Sequence, residues 1–251
     1  MIPTPSGHRY TAVLLGASGN VGGQILNLLV ASPRCKKIVV VGRRALPEIF
    51  SPKVQQLVVD MTKMEAELAG RIEDVDIALA AFGVGKGTRN MRDDELRQIE
   101  VAFPTAFAKA AKRAGARVMA MMSVVGANAR SSSKYLRLLG EKEEASRSLG
   151  FEFLGLYRPG VILGNSNTPD ALARVMPLVH WAMPSRFHSI HKTNLARAMV
   201  AQSEQALAAL PPAGSPIEAL VKVMEYRDME PFFTPVKSRA KRHEVDALSR
   251  A

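Results

Sequence analysis

The chain is short of cysteine, aromatic residues and long apolar runs, and each shortage removes a class of protein. One cysteine, Cys35, among 251 residues excludes an internal disulfide and suits a reducing compartment. Nothing in the sequence suggests a CxxC pair or a cysteine–histidine zinc site. Aromatics make up 6% and do not interleave with basic residues, so a stacking platform for bases is missing. No apolar run approaches the roughly 20 residues needed to span a bilayer. The longest candidates, such as Val118–Val125, read as buried strands. Met1–His8 is too short and too polar for a secretory signal peptide. A soluble, intracellular protein is expected, cytoplasmic by default, with an organelle matrix left open.

Positive charge, by contrast, is abundant. The formal net charge is +11, and part of it sits in the tail, where Lys237, Arg239, Lys241, Arg242 and Arg250 outnumber Glu244 and Asp246. A basic surface favours polyanions: nucleic acid, anionic lipid or a phosphorylated cofactor. The remaining excess forms no block, so a solvated surface with a frayed basic tail is preferred over a nucleic-acid or anionic-surface site.

Short β-branched runs alternate with amphipathic segments, the pattern of βαβ units around a parallel sheet. Strands are expected at Tyr10–Leu15, Ile38–Val41, Gln56–Val59, Val75–Ala81, Val118–Met122 and Phe151–Leu156. Helices are expected at Val21–Ala31, Arg92–Ala114 and Lys134–Leu149, the second stopping at Ala114-Gly115. Pro169, Pro177 and Pro184 then break the pattern; a helix from about Lys192 to Leu210 and an amphipathic stretch, Ile217–Met224, follow. These features predict one domain over 1–234 with a cap or substrate lobe within about 160–230, and a flexible basic tail over 235–251.

The first strand runs directly into Gly16-Ala17-Ser18-Gly19-Asn20-Val21-Gly22, and a helix follows. Glycines permit the tight turn and close approach of backbone to a pyrophosphate; the helix start supplies free N–H groups. A glycine triplet alone is weak evidence, but between a first strand and a first helix it marks a dinucleotide site on a Rossmann doubly wound sheet. A P-loop fails on spacing: Gly85-Lys86 is followed by Gly87, and Ala80 stands where its first glycine belongs. The second strand ends in Gly42-Arg43-Arg44, where folds of this type that prefer NAD place a carboxylate on the ribose 2′-hydroxyl. Two guanidiniums would instead clamp a 2′-phosphate, so NADP(H) is the expected cofactor. By topology, Asp60 and Met61 would flank the adenine, and Ala81, Phe82 and Gly83 would pass under the cofactor ribose.

At this point the chain resembles the atypical short-chain dehydrogenases/reductases, most closely the Tat-interacting-protein branch of NADPH-binding oxidoreductases. The matching pieces are GASGNVG at 16–22, VVVGRRAL at 39–46, VVDM at 58–61, MSVVGAN at 122–128, YLRLLGEKE at 135–143 and YRPGVILG at 157–164. They run in family order over roughly residues 10–200. The resemblance implies a Rossmann fold, NADP(H), and carbonyl reduction or alcohol oxidation. It places Ser123 against a substrate carbonyl, Tyr135 as proton donor or acceptor, and the backbone of Pro159, Gly160 and Val161 against the nicotinamide.

One departure bears on the chemistry. Enzymes of the resembled family carry lysine four residues after the tyrosine, one helical turn on; here that position is Leu139. Lysine there binds the cofactor ribose and lowers the tyrosine pKa. Lys142 returns to nearly the same face but sits roughly 10 Å further along the axis than Tyr135. Lys134 points away, and Lys86 follows the fourth strand. The expected function is an NADP(H)-dependent oxidoreductase with weak activity, acting on a small carbonyl or alcohol. Its rival is a non-catalytic NADP(H)-binding regulatory or assembly subunit with a protein partner. His188 and His191 read as structural, with no carboxylate or cysteine nearby to complete a metal site. Trp181, Met176, Met183 and Phe187 either pack the lobe onto the domain or line a lipophilic pocket.

Overall fold

Valine, isoleucine, leucine and alanine dominate the central strands, Tyr10–Leu15, Ile77–Ala80, Val118–Met122 and Phe153–Tyr157, and almost every residue in them is buried, as a sheet covered on both faces requires. The computed structural model describes residues 9–47, 51–84, 91–164, 181 and 183–233. Lys86, Met176 and the tail 235–251 lie outside the described residues.

The strands are β1 (Tyr10–Leu15), β2 (Cys35–Gly42), β3 (Val54–Val58), β4 (Ile77–Ala80), β5 (Val118–Met122) and β6 (Phe153–Tyr157). A short pair, β7 (Ile162–Leu163) and β8 (Ile190–His191), stands apart, and β9 (Leu220–Met224) comes last. Seven strands form one parallel sheet in the order β3-β2-β1-β4-β5-β6-β9. The helices are α1 (Asn20–Ala31), α2 (Met64–Leu68), α3 (Asp93–Arg97), α4 (Phe103–Arg113), α5 (Lys134–Arg147), α6 (Lys192–Ala209) and α7 (Tyr226–Met229).

Alternation of side chains divides the core. Tyr10, Ala12 and Leu14 of β1 face α1 and α6, together with Ile38, Ile77, Leu79 and Ala120. Val13 and Leu15 face the opposite way, joining Val39, Ala78, Met119, Met64 of α2 and Phe107 of α4. This is a doubly wound Rossmann fold. Strand order reverses between β1 and β4, so their carboxyl ends open a crevice at the switch point.

Two segments differ from the sequence reading. Ile217–Met224, read as amphipathic within a lobe, supplies β9 at the sheet edge, its Val221 and Val223 half-buried against the core. The helix expected over Arg92–Ala114 is present and runs unbroken over 93–113, but it carries a π-turn at Gln98–Ala102, between α3 and α4. Within the stretch assigned to a lobe, α6 lies flat on α1 beneath the sheet.

Candidate functional site

The glycine loop is shaped by its neighbours. Gly16 has φ +91°, and a Cβ there would lie 2.4 Å from the Ala81 carbonyl oxygen, so only glycine lets the β1 and β4 ends meet. Gly22, in the first turn of α1, would press a Cβ to 1.9 Å from the Gly16 oxygen. The Gly19 amide donates to that oxygen at 2.9 Å and closes the turn. No acidic residue occupies the first turn of α1 and no side chain caps it, so its N–H groups face the crevice.

A cavity of about 180 Å³ opens above this loop. Gly16, Ser18, Gly19, Arg43, Arg44 and Met61 line it, with Ala81, Phe82 and Gly83 on the far side. Arg43 and Arg44 are exposed, and neither forms an ion pair with a described residue. Asp60 is not on the wall. Its carboxylate accepts from the Thr62 amide at 2.9 Å and the Thr62 hydroxyl at 2.7 Å, and these bonds hold its pKa below the usual carboxylate range. Asp60 therefore caps the turn that presents Met61.

A second cavity, about 350 Å³, shares Gly19, Ala81, Phe82 and Gly83 with the first and continues it across the crevice. It brings together Asn20, Val21, Ser123, Tyr135, Pro159 and Gly160. Val161 is turned off this wall; its carbonyl accepts from the Ile190 amide at 2.9 Å, and Ile162 takes the lining position. Gly22 lines neither cavity and acts through packing alone.

Four polar residues outside the expected set, Glu143, Arg158, Glu100 and Lys142, stand at or behind the wall of the second cavity. Ser123, at the end of β5, donates its hydroxyl to Glu143 Oε1 at 2.6 Å. Arg158 clamps the same carboxylate through Nε at 2.8 Å and Nη2 at 2.5 Å, which raises the guanidinium pKa. The third residue is Glu100, on the π-turn. It accepts from the Val84 amide at 2.7 Å and reaches to 3.7 Å from Lys142 Nζ. Glu100 and Lys142 are each 1% exposed, and both line the cavity. Burial lowers the Lys142 pKa, with Glu100 and Glu143 opposing the shift. Burial, with the Glu100 charge second, pushes the Tyr135 hydroxyl well above the tyrosine range. Leu139 also lines the cavity, packed with Leu96, Ala127 and Leu138.

Glu100 was missed by motif reading, since it belongs to no pattern. Its signal is an acid at the head of the apolar run Val101–Phe103, ahead of Pro104. Elsewhere, His191 caps α6 by accepting from the Thr193 amide at 3.3 Å, and His188 packs edge-on against Tyr226. Trp181 is 89% exposed, and Arg186 lies over the Phe187 ring.

Known proteins agree with this geometry. Residues 16–150 match a family model described as NAD(P)H-binding. The chain is 34% identical over 167 residues to Protein FMP52-1, mitochondrial, of Scheffersomyces stipitis, covering 64% of this chain and 71% of that protein. It is 33% identical over 162 residues to Protein FMP52, mitochondrial, of Candida albicans, covering 63% and 70%. Among solved structures, a short chain dehydrogenase family protein from Francisella tularensis matches with TM-score 0.60 and 9% identity, covering 88% of this chain and 99% of that one. The Bordetella bronchiseptica enzyme WbmH, in complex with NAD+, matches with TM-score 0.59 and 13% identity, covering 87% of each.

The names of the relatives overturn the expected cytoplasmic location, because those proteins are described as mitochondrial. The features behind that expectation, one buried cysteine and no long apolar run, suit an organelle interior equally well. No helix among the described residues is long and apolar enough to cross a membrane. With a family model spanning more than half its length, the chain belongs to the NAD(P)H-binding family, on the fold of the short-chain dehydrogenases/reductases.

Proposed function

We propose that the protein is an NADP(H)-dependent oxidoreductase that reduces a small carbonyl compound, working in mitochondria as its relatives' names suggest. The observation that carries the reading is the pair of joined cavities. One ends at Arg43 and Arg44, the other at Ser123 and Tyr135, and Gly19 with Ala81–Gly83 forms the floor of both. A dinucleotide laid across that floor would set its 2′-phosphate between the guanidiniums and its nicotinamide beside Pro159 and Gly160. Bound NADPH would supply a hydride; the residues' share is to hold the carbonyl and provide a proton. Tyr135, its pKa raised by burial and Glu100, stays protonated across the physiological range. A protonated hydroxyl is a donor, which suits reduction rather than oxidation. The domain over 1–234 belongs to this reading as a single unit.

A second reading, a non-catalytic NADP(H)-binding regulatory or assembly subunit, is favoured by two details. Leu139 stands where the family's lysine belongs, and the Ser123 proton is already committed to Glu143. Calorimetry with NADPH and NADH tests the cofactor, and an aldehyde and quinone panel tests turnover. Tighter binding of NADPH, lost in Arg43→Ala/Arg44→Ala, is expected. Equal affinity for the two, or no heat with NADPH, would defeat the cofactor reading; binding without turnover would leave the subunit reading standing.

A further inference from the structure

A lysine and a glutamate buried together at 1% exposure are costly to a fold, because an apolar pair of the same size would pack at least as well. Their placement gives that cost a use. Both line the second cavity, and their contact is loose: 3.7 Å separates Lys142 Nζ from Glu100 Oε2, longer than a hydrogen bond. Among the described residues Glu100 is the one counter-ion within 4 Å of Lys142. The ammonium therefore retains donor capacity beside the cavity.

Local structure also holds the pair in place. Glu100 sits on the π-turn Gln98–Ala102, and π-turns collect at functional sites because the extra residue redirects a side chain. Gly83 leaves room for it: a Cβ there would lie 3.1 Å from both Glu100 oxygens. Lys142 comes from α5, the helix that carries Tyr135 and Leu139. At ~100° per residue, positions 139 and 142 fall within about 40° of Tyr135 on the helix wheel. Position 142 lies only ~4.5 Å further along the axis than 139. Helical side chains lean toward the N-terminus, so a lysine at 142 leans back over that gap toward the Tyr135 level.

We propose that Lys142, tethered by Glu100, is the residue that binds the nicotinamide end of the cofactor, its ammonium donating to the ribose hydroxyl oxygens in place of a lysine at 139. The assignment rests on the NADP(H) reading above. Glu100 is a positioning residue: it fixes the ammonium and leaves its other donors for the ligand. Ser123 stays anchored on Glu143 and is not displaced by this arrangement.

The test measures affinity on the full chain, with NADPH and with 2′,5′-ADP, which keeps the 2′-phosphate but lacks the nicotinamide ribose. Lys142→Met should weaken NADPH binding about tenfold, the worth of one hydrogen bond to a charged group, and leave 2′,5′-ADP unchanged. Lys142→Met/Glu100→Gln removes both charges and guards against misfolding from an unpaired carboxylate; it should show the same selective loss. Leu139→Lys/Lys142→Leu, with the ammonium moved one turn back, should recover NADPH affinity, which a purely structural lysine could not produce. Equal NADPH affinity in the wild type and the folded Lys142→Met/Glu100→Gln variant would overturn the proposal. So would equal losses for NADPH and 2′,5′-ADP. A wild type that binds neither ligand would instead refute the underlying cofactor reading.

Discussion

Arg158→Met isolates the network that holds Ser123 in place. In the wild type Glu143 has 3% of its side chain exposed and meets Arg158 through two charged hydrogen bonds, at 2.8 and 2.5 Å. Methionine fills similar space but leaves the carboxylate with the Ser123 hydroxyl and with Arg147 at 4.0 Å. Removing one partner of a buried pair costs about 3–5 kcal/mol. Arg158 is 20% exposed and Arg147 remains, which places the loss at the lower end, about 3 kcal/mol. For a chain of this size that lowers Tm by about 6–12 °C. With an m-value near 3 kcal/mol/M, the urea midpoint falls by about 1 M. Circular dichroism during urea and thermal unfolding reads both. Arg158→Met/Glu143→Leu should recover most of the loss, less about 1 kcal/mol for the Ser123 hydroxyl left without its acceptor. A single variant within about 1 kcal/mol of wild type, or a double variant no more stable than the single, would refute the account.

Gly22→Ala forces a methyl to 1.9 Å from the Gly16 oxygen, a backbone atom. It should cost more than the ~1–3 kcal/mol of ordinary overpacking and abolish NADPH fluorescence enhancement, checked by melting and titration. Arg117 donates two hydrogen bonds to Glu152, at 2.8 and 2.6 Å, and holds that carboxyl below the usual glutamate range. Its contribution is therefore complete above the unfolded pKa of about 4.3 and is lost as pH falls through the lower folded value. Glu152→Gln should flatten the acid limb of a stability–pH curve. Leu139→Lys should raise turnover on the aldehyde panel and pull the alkaline limb of the rate profile downward, since a cation one turn from Tyr135 favours its ionised form; no gain would count against the enzyme reading.

Much of the sheet was legible because parallel strands buried on both faces write themselves as short β-branched runs. Tyr10–Leu15 and Val118–Met122 were read to the residue. The edge strand Leu220–Met224 was harder. Leu220 is 57% exposed, and the alternation over five residues is as consistent with a short amphipathic segment as with a strand. The π-turn is invisible to periodicity, because one inserted residue shifts the apolar stripe by ~100° over a stretch too short to register.

The same limit explains why the loop was easier to read than the chemistry. Gly16 and Gly22 are constrained by backbone clashes that leave glycine as the sole solution, and a Cβ on Gly19 would stand a tight 3.2 Å from the Gly16 oxygen, so the three appear as a compact motif. Glu100, Lys142, Glu143 and Arg158 answer to one another instead, across α5, β6 and a turn, through pairs 42 and 15 residues apart in sequence. A pairwise constraint leaves no local pattern: Lys142 reads as a lysine on nearly the face of Tyr135 but too far along the axis, and its burial is not legible until the carboxylate facing it is known. Once the π-turn places that carboxylate, Leu139 no longer implies a cavity without a cation. The charge has moved three residues along the same helix, and its counter-ion has come from another element to hold it there.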